Sequence, residues 1–399
     1  GGGFGQRHGR GLGGVELGYI NFTKHLLCKN GDSPENPLTF PTLTRRRFAL
    51  GAAATLAGLH APASRARAPA RPYLADMHSH YGMFLPRLFG LDLARHMQET
   101  GTMLLAWSAT DDNRWIGMTP TGWQQTRQPA PGELWAAFQQ RLAGYDDKLK
   151  GWNLAKALMP ADVDAALAGS PRVVLATEGA NFLEGQPERV AQAHAWGVRH
   201  MQLIHFIQSP LGDRQTAAPV HGGLTPLGAK VVAECKRLGI LVDLAHGTPA
   251  LVDGVLQASD AAPVWSHSWI SAQGGSWTDP SYIARSLSPG TARTIAARGG
   301  AVGLWTVRVS RDPAYPVHNA TSYADEIVRM CTLIGPRHVA FGTDMEGAGP
   351  GPILSNYVDL REVADQLVRR GLSEAAVHDV FIGNYARLVK AAMGGAVTR

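Results

Sequence analysis

The stretch PLGAKVVAECKRLGILVDLAH, residues 226–246, contains an amphipathic helix, then Gly239, and then an apolar run that ends in a histidine. In its first part, 226–238, apolar residues recur at the three- and four-residue spacing of a helix. The second part, 240–246, is almost continuously apolar, as in a parallel strand that is covered on both faces. This unit of helix and strand predicts an α/β fold.

The same alternation continues along the chain from Tyr73 onward. Strands are predicted at 73–79, 102–108, 172–178, 200–206, 240–246, 263–268, 300–308 and 338–344. Helical patterns are predicted at 226–238, 249–258, 289–298, 320–334 and 358–370. Eight strands alternating with helices predict a (β/α)8 barrel of the TIM type, and a doubly wound open sheet is the alternative. No glycine-rich nucleotide motif follows the first strand, so nucleotide binding is not indicated.

One connection is too long for a single crossover. Residues 109–171 contain four tryptophans and helical patterns at 133–150 and 162–169. Connections between barrel strands are usually much shorter. We therefore predict that this segment forms an insertion over the mouth of the barrel.

The positive charge of the chain is concentrated at its N-terminal end. Of the 38 Lys and Arg and the 32 Asp and Glu, nine and three lie in residues 1–68, which leaves 29 of each in 69–399. A neutral body gives no support for a nucleic-acid partner. We interpret 69–399 as a single barrel domain.

The basic segment has the pattern of an export signal. Arg45, Arg46 and Arg47 precede an apolar run at 49–59 and small residues at 66–68, which predicts a twin-arginine signal peptide at 41–68. The alternative is an internal helix with chance arginines. The predicted partner is the twin-arginine export machinery, and the predicted location is periplasmic or secreted. Residues 1–40 are glycine-rich and are interpreted as an N-terminal extension of uncertain origin.

Metal-ligating and acid–base residues lie at the predicted carboxyl ends of six strands. They are His78 and His80 on the first strand, Glu178 on the third, His205 on the fourth, His246 on the fifth, His267 on the sixth and Asp344 on the eighth. All these ends open on one face of a barrel, where the active sites of this fold are built. The coincidence predicts a metal-dependent enzyme.

The residue types favour zinc. His78 and His80 are two residues apart in a strand, so both side chains point to the same side and can bind one ion. Imidazole and carboxylate groups suit Zn²⁺, and Glu178 can bridge a pair of ions that activates a water molecule. Asp344 then serves as general base and acid. Taken singly, each residue has another interpretation: a hydrogen-bonded core histidine, a helix cap or a turn residue.

Several motifs together resemble the membrane dipeptidase (renal dipeptidase) family of zinc peptidases over most of 73–390. They are ATEGA at 176–180, MQLIHF at 201–206, GGLTPLGAKVVAECKRLGILVDLAH at 222–246, APVWSHS at 262–268, HVAFGTDMEG at 338–347 and IGNYARLV at 382–389. The resemblance implies a metal-dependent hydrolase barrel with two zinc ions that cleaves dipeptides.

The resemblance also implies a role for individual residues. His78 matches the first ligand, Glu178 the bridging carboxylate, and His246 and His267 the ligands of the second ion. Asp344 matches the catalytic acid and base, and His205 a histidine that contacts the substrate. Arg285, in ARSLSP, resembles the arginine that holds the substrate carboxylate, a contact for which a guanidinium is suited.

The first strand departs from the family pattern. The family has H-x-D there, whereas this chain has His78-Ser79-His80, which removes one negative charge from the expected ligand set. Residues 81–135 also look unlike typical dipeptidases. Two alternatives to a dipeptidase therefore stay open: an amidohydrolase acting on a lactam, lactone or other amide, and a non-hydrolytic tailoring or binding protein for a peptide metabolite such as a siderophore. The sequence also leaves open whether the chain forms a homo-oligomer.

Overall fold

A computed structural model describes residues 72–82, 92–110, 112–119, 122–271, 284–307, 317–347, 353–354 and 356–395 of the chain. The predicted extension at 1–40 and signal peptide at 41–68 lie outside the described residues. Of the helices described, none is long and apolar enough to cross a membrane.

Eight parallel strands form a nearly closed barrel. Numbered in chain order, the strands described are β1 Leu74–Ser79, β2 Thr102–Thr110, β3 Ile116–Thr119, β4 Gly122–Gln125, β5 Ala155–Lys156, β6 Arg172–Glu178, β7 Val198–Gln202, β8 Leu241–Asp243, β9 Val264–Ser268, β10 Ala301–Leu304 and β11 Val339–Phe341. The barrel order is β1-β2-β6-β7-β8-β9-β10-β11, and β5 pairs with β6 outside this ring. Because the strands follow one another in chain order, the predicted barrel is confirmed and the doubly wound sheet is wrong.

The first and last strands meet at the end of the barrel that holds the predicted ligands. The backbone N–H of Asp344 donates to the carbonyl of His78 at 3.0 Å, and that of His80 donates to Met345 at 2.9 Å. A parallel bridge joins Ser79 to Met345. The hydrogen bonds that close the ring therefore also fix residues of the candidate site.

Helices pack around the barrel and also occur within the segment 109–171. Those described are α1 Leu93–Thr100, α2 Glu133–Gly151, α3 Pro160–Leu167, α4 Arg189–Ala195, α5 Pro226–Leu238, α6 Pro249–Ala258, α7 Pro289–Ala297, α8 Ala320–Ile334, α9 Tyr357–Arg369, α10 Glu374–His378 and α11 Asn384–Gly394. The predicted helices at 226–238, 249–258 and 320–334 have the bounds of α5, α6 and α8. Helices α1, α4, α10 and α11 were not predicted.

Local sequence explains where the barrel helices begin. Thr225, Thr248 and Ser288 each precede a proline, and each side chain accepts a hydrogen bond from the backbone three residues later. A hydroxyl cap satisfies an otherwise free N–H group, and proline at the first helical position needs no hydrogen bond. Each of these cap–proline pairs therefore determines the residue at which its helix begins.

Some predicted strands are too long. The strand predicted at 200–206 is β7, Val198–Gln202, and that predicted at 240–246 is β8, Leu241–Asp243. After β8 the chain turns, because Asp243 accepts hydrogen bonds from the backbone of Ala245 and Ser266. His205, His246 and Asp344 consequently lie three residues beyond their strands.

The two cysteines of the barrel do not form a disulfide. Cys235 and Cys331 are both free and buried. Burial raises the pKa of each thiol to about 12, so both are protonated at neutral pH. They serve as small apolar residues of the core.

A buried carboxylate ties the closing strands together. Asp76 accepts hydrogen bonds from the backbone of His78 at 3.1 Å, from the N–H and hydroxyl of Thr343 at 2.9 and 2.6 Å, and from the hydroxyl of Tyr357 at 2.6 Å. Burial raises the pKa of Asp76, although these hydrogen bonds oppose the rise. The carboxylate links β1, the loop after β11 and α9.

We expect Asp76→Ala to lower the free energy of unfolding by at least ~2 kcal/mol, because several buried donors lose their acceptor. Urea unfolding followed by circular dichroism measures this. Asp253→Ala, at an exposed position of α6, is the control and should stay within about 0.5 kcal/mol of the parent. Equal stability of the two variants would contradict the role given to Asp76.

Candidate metal centre

Two groups of potential metal ligands share one carboxylate. The first contains His78, His80, Glu178 and Asp344, and the second contains Glu178, His246 and His267. In each group the ligand atoms lie within 4.8 Å of one another, and all six residues are buried. The structure thus brings together every residue that the sequence predicted as a ligand.

In the first group the imidazoles face both carboxylates. His78 Nε2 and His80 Nε2 lie 3.1 Å apart. His78 Nε2 is 3.3 Å from Glu178 Oε1, and His80 Nε2 is 3.3 Å from Glu178 Oε2. The Oδ1 atom of Asp344 is 3.3 Å from His80 Nε2. Four donor atoms therefore converge on one small volume.

The second group shares the Glu178 carboxylate with the first. Nε2 of His246 and Nε2 of His267 are 3.1 Å apart, and each is 3.6 Å from Glu178 Oε1. His205 Nε2 approaches the same oxygen at 3.2 Å. A single carboxylate thus contacts histidines of both ligand groups.

The arrangement of ring nitrogens fits bound cations. Nδ1 of His80 lies 3.1 Å from the carbonyl oxygen of Ser108, a contact that requires a proton on Nδ1 and leaves Nε2 to act as a ligand. Burial lowers the pKa values of His246 and His267 well below the ordinary value, and the charge of Arg285 lowers them further. Without a metal ion, one of these two Nε2 atoms donates a hydrogen bond to the other, and a bound cation would take the place of that proton. Nitrogen and carboxylate donors suit zinc.

Glu178 remains ionised although it is buried. Burial alone would raise its pKa, but the charges of His205, His80 and His78 hold it well below the ordinary value. Thr110 also donates a hydrogen bond to Oε2 at 2.6 Å. The carboxylate is therefore available as a ligand at neutral pH.

Two site residues adopt a backbone conformation that side chains rarely favour. His246 has φ 70° and Asp344 has φ 54°, both in the left-handed region. Such residues cost ~1–3 kcal/mol each and persist where the surrounding structure demands them. Here the turn directs each side chain back toward Glu178.

Arg285 lies buried at the same end of the barrel. Nη1 donates to Gln215 Oε1 at 2.8 Å, while Nη2 is buried with no partner among the described residues. Burial lowers the pKa of Arg285 to about 10, against the opposing charges of Glu178 and Asp344. The guanidinium is thus still charged at neutral pH and offers an unused donor.

Strand β2 also contributes side chains to the site, although none of its residues was predicted there. Ser108 and Thr110 of this strand contact the site, and Asp112, just beyond it, lies 2.7 Å from Nδ1 of His205. The signal was present as Thr110-Asp111-Asp112 at the end of the second predicted strand, where the same rule about strand ends applies.

Three of the histidines left out of the predicted site have protein partners. Nδ1 of His200 contacts the hydroxyl of Tyr385 at 3.0 Å, and Nδ1 of His338 contacts the carbonyl of Gly300 at 2.7 Å. His221 Nε2 contacts the carbonyl of Ser209 at 3.1 Å. These contacts give the three rings protein partners outside both ligand groups.

Comparison with known proteins identifies the family. A family model described as membrane dipeptidase (peptidase family M19) matches residues 136–396. This chain belongs to the membrane dipeptidase family. "Dipeptidase aclJ" of Aspergillus oryzae is 29% identical over 227 residues, which cover 54% of this chain and 50% of that protein. The chain therefore spans about half the length of the curated relatives it matches.

Solved structures agree on the fold. "Dipeptidase AC", a metallopeptidase of family M19, is 18% identical and superimposes with a TM-score of 0.69 over 82% of this chain and 100% of its own. A metallopeptidase from Rhodobacter sphaeroides, liganded with a phosphinate mimic of the dipeptide L-Ala-D-Ala, is 20% identical with a TM-score of 0.65, over 80% of this chain and 99% of its own.

The matched family region covers only part of the metal centre. It includes Glu178, His246, His267 and Asp344, whereas His78, His80 and all of β1 and β2 precede it. The strand with the unusual H-x-H pattern thus lies outside the segment that the family model recognises.

A glycine after β11 lies against two ligands of the first group in this dipeptidase-family protein. A Cβ at Gly347 would lie 2.2 Å from Asp344 Oδ1 and 2.5 Å from His80 Cδ2. We expect Gly347→Ala to displace these ligands and lower the zinc bound after dialysis, as measured by elemental analysis. Gly144→Ala, in α2 with nothing near its Cβ, is the control and should bind as much zinc as the parent. Equal zinc content in both variants would contradict this.

Zinc binding should release protons. Burial lowers the pKa of His80, but Glu178 and Asp344 outweigh this and raise it to about 10. The metal-free ring is therefore protonated at neutral pH and must lose its proton to bind zinc, so affinity should rise with pH. Calorimetric zinc titrations in buffers of different ionisation enthalpy count the protons. His80→Asp should release fewer than the parent, and an equal count would contradict the assignment.

Proposed function

We propose that the protein hydrolyses the amide bond of a dipeptide, or of a similar small peptide-like substrate, with a binuclear zinc centre. The observation that carries this proposal is the position of Glu178, which is only 5% exposed and contacts ligands of both groups. Its Oε2 is 3.3 Å from His80, and its Oε1 is 3.3 Å from His78 and 3.6 Å from both His246 and His267, so the carboxylate lies between the two groups. A carboxylate shared in this way is the usual bridge of a two-metal site.

Each residue has a task in this reaction. The zinc pair, when bound, would polarise the scissile carbonyl and make water a nucleophile at neutral pH. Asp344 takes the proton from the attacking water and returns it to the leaving amine. His205, whose Nε2 lies beside Glu178, faces the place where the carbonyl oxygen develops charge.

Arg285 supplies recognition of a carboxylate. Its guanidinium is 4% exposed and keeps one buried nitrogen without a partner among the described residues. A substrate carboxylate would satisfy this nitrogen and neutralise the buried charge, and a paired charge is far less costly to bury than a single one. A free C-terminal carboxylate is what a dipeptide presents.

The H-x-H strand favours a second candidate. Imidazole at His80 in place of a carboxylate makes the ligand set less negative, and the segment 81–135 departs from the family. An amidohydrolase acting on a lactam, lactone or other amide fits the same centre. A non-hydrolytic tailoring or binding protein for a peptide metabolite is the remaining alternative from the sequence.

A substrate panel on the zinc-loaded protein tests the proposal. The panel contains L,L and L,D dipeptides including L-Ala-D-Ala, the C-terminal amides of the same dipeptides, and cyclic amides and lactones. We expect two zinc ions per chain, hydrolysis of dipeptides, and much weaker hydrolysis of their amides, which lack the partner of Arg285. Cleavage of cyclic substrates alone would support the amidohydrolase, and tight binding without cleavage would support the binding protein.

We expect Asp344→Asn to abolish dipeptide turnover while zinc content changes little, because the amide oxygen still reaches the metal but cannot carry a proton. Steady-state kinetics and elemental analysis measure the two quantities. Asp253→Asn, on the exposed face of α6, should behave like the parent. Retained activity in Asp344→Asn would dismiss its role as acid and base.

Export belongs to the same proposal. It rests on the twin-arginine pattern at 41–68, outside the described residues, and on the charge difference between this segment and the neutral body. Recovery of a chain cleaved within 41–68 from the periplasm of a host, and its absence there when twin-arginine export is disabled, would support it.

A further inference from the structure

A buried acid–imidazole pair lies beside the metal centre and outside both ligand groups. Oδ1 of Asp112 is 2.7 Å from Nδ1 of His205. Asp112 is 1% exposed, and its Oδ2 has no partner among the described residues. Among the described residues, His205 is the one side chain that hydrogen-bonds to this carboxylate, and the charge of Arg214 also acts on it.

Burying a carboxylate with so few partners is costly, and a purely structural role does not explain the cost. Buried aspartates that hold loops usually engage both oxygens. Asp213 in the neighbouring loop does so, accepting hydrogen bonds from the backbone of Val220, His221 and Gly223. Asp112 instead directs one oxygen at one imidazole.

The hydrogen bond determines which ring nitrogen faces the reaction. A carboxylate accepts only from a protonated nitrogen, so the contact places a proton on Nδ1 of His205. The other nitrogen, Nε2, then points to Glu178 Oε1 at 3.2 Å. The ring is also confined by His246 and Phe206, whose centroids lie 4.6 Å away. The imidazole is therefore fixed in orientation, with a proton held on Nδ1.

The insertion after β2 holds Asp112 in place. The carbonyl of Asp112 accepts a hydrogen bond from the backbone of Trp115 at 2.9 Å. Trp115 packs with Leu134 and Ile207 in a small buried cluster, and Ile207 is two residues beyond His205. The same cluster thus anchors the segments that carry both members of the pair.

We propose that Asp112 is a positioning residue for amide hydrolysis, which holds His205 so that Nε2 faces the oxygen of the scissile carbonyl. This inference rests on the proposed function, and it adds a residue that precedes the matched family segment 136–396. Asp112 acts only through His205 and does not touch the metal ligands in the described contacts.

Variants of Asp112 separate positioning from folding. The amide of Asp112→Asn has the same shape but can donate to Nδ1 as well as accept from it, so it no longer fixes a proton on Nδ1. We therefore expect kcat for the best dipeptide to fall ~10–100-fold, the usual effect of losing such a partner. KM should stay within about threefold and zinc content should be unchanged. Asp147→Asn, at an exposed position of α2, is the control and should match the parent.

A double-mutant cycle shows whether the effect passes through His205. In a His205→Ala background, Asp112→Asn should cause no further loss of kcat, because there is no ring left to orient. Additive losses from the two changes would overturn the proposal. So would an Asp112→Asn variant as active as the parent.

A spectroscopic measurement keeps the proposal testable if no dipeptide is cleaved. Zinc-loaded protein labelled with ¹⁵N-histidine should show a protonated Nδ1 signal that disappears in His205→Ala and changes in Asp112→Asn. An unchanged signal in Asp112→Asn would overturn the positioning role. An inactive parent with the expected signal would instead refute the dipeptidase proposal and leave the pair intact.

Discussion

The organisation of the site depends on a single buried anion. Glu178 leaves water almost completely, and an isolated carboxylate in such a place would be unstable. Its two oxygens contact His78, His80, His205, His246 and His267, all within 3.6 Å. These imidazoles come from different strands, so the carboxylate can be satisfied only when the barrel closes in register. Because the buried Glu178 carboxylate requires these partners, folding of the barrel and assembly of the candidate metal centre are linked.

The same need explains the strain near the site. His246 and Asp344 lie in left-handed turns just beyond short strands, and each turn redirects a side chain that would otherwise continue along the barrel wall. Hydrogen bonds hold these turns: Gln215 N–H donates to the carbonyl of His246, and Asp344 N–H donates to that of His78. The hydrogen bonds that close the barrel thus hold the turn at Asp344, whereas a hydrogen bond from the loop after β7 holds the turn at His246.

The sequence predicted the fold, and it predicted which residues would lie together at the candidate site, for reasons that are local. Buried parallel strands are nearly continuous apolar runs, and pairs such as Thr225-Pro226 determine where helices begin, so strand order and several helix bounds followed directly. What failed depends on tertiary contacts. The ends of β7 and β8 are decided by turns that Asp243 stabilises, and helices α1 and α4 are too short for a clear period. Asp112 was overlooked because its role depends on reaching His205, 93 residues away.

His80 and Asp112 together determine where negative charge lies around the candidate metal centre. The family pattern places a carboxylate where this chain has His80, and the loss of that charge leaves the ligand set more positive. A buried carboxylate is nevertheless present, behind His205 rather than among the ligands. A carboxylate that acts through an imidazole would reduce the attraction of bound metal ions for a carbonyl oxygen less than a carboxylate ligand would. The reason is that distance and the intervening ring weaken its interaction with the ions. Under the proposed function, bound metal ions would then polarise a carbonyl while His205 stays oriented. Both residues precede the segment that the family model matches, so that segment by itself contains neither the first ligand strand nor the residue that orients His205.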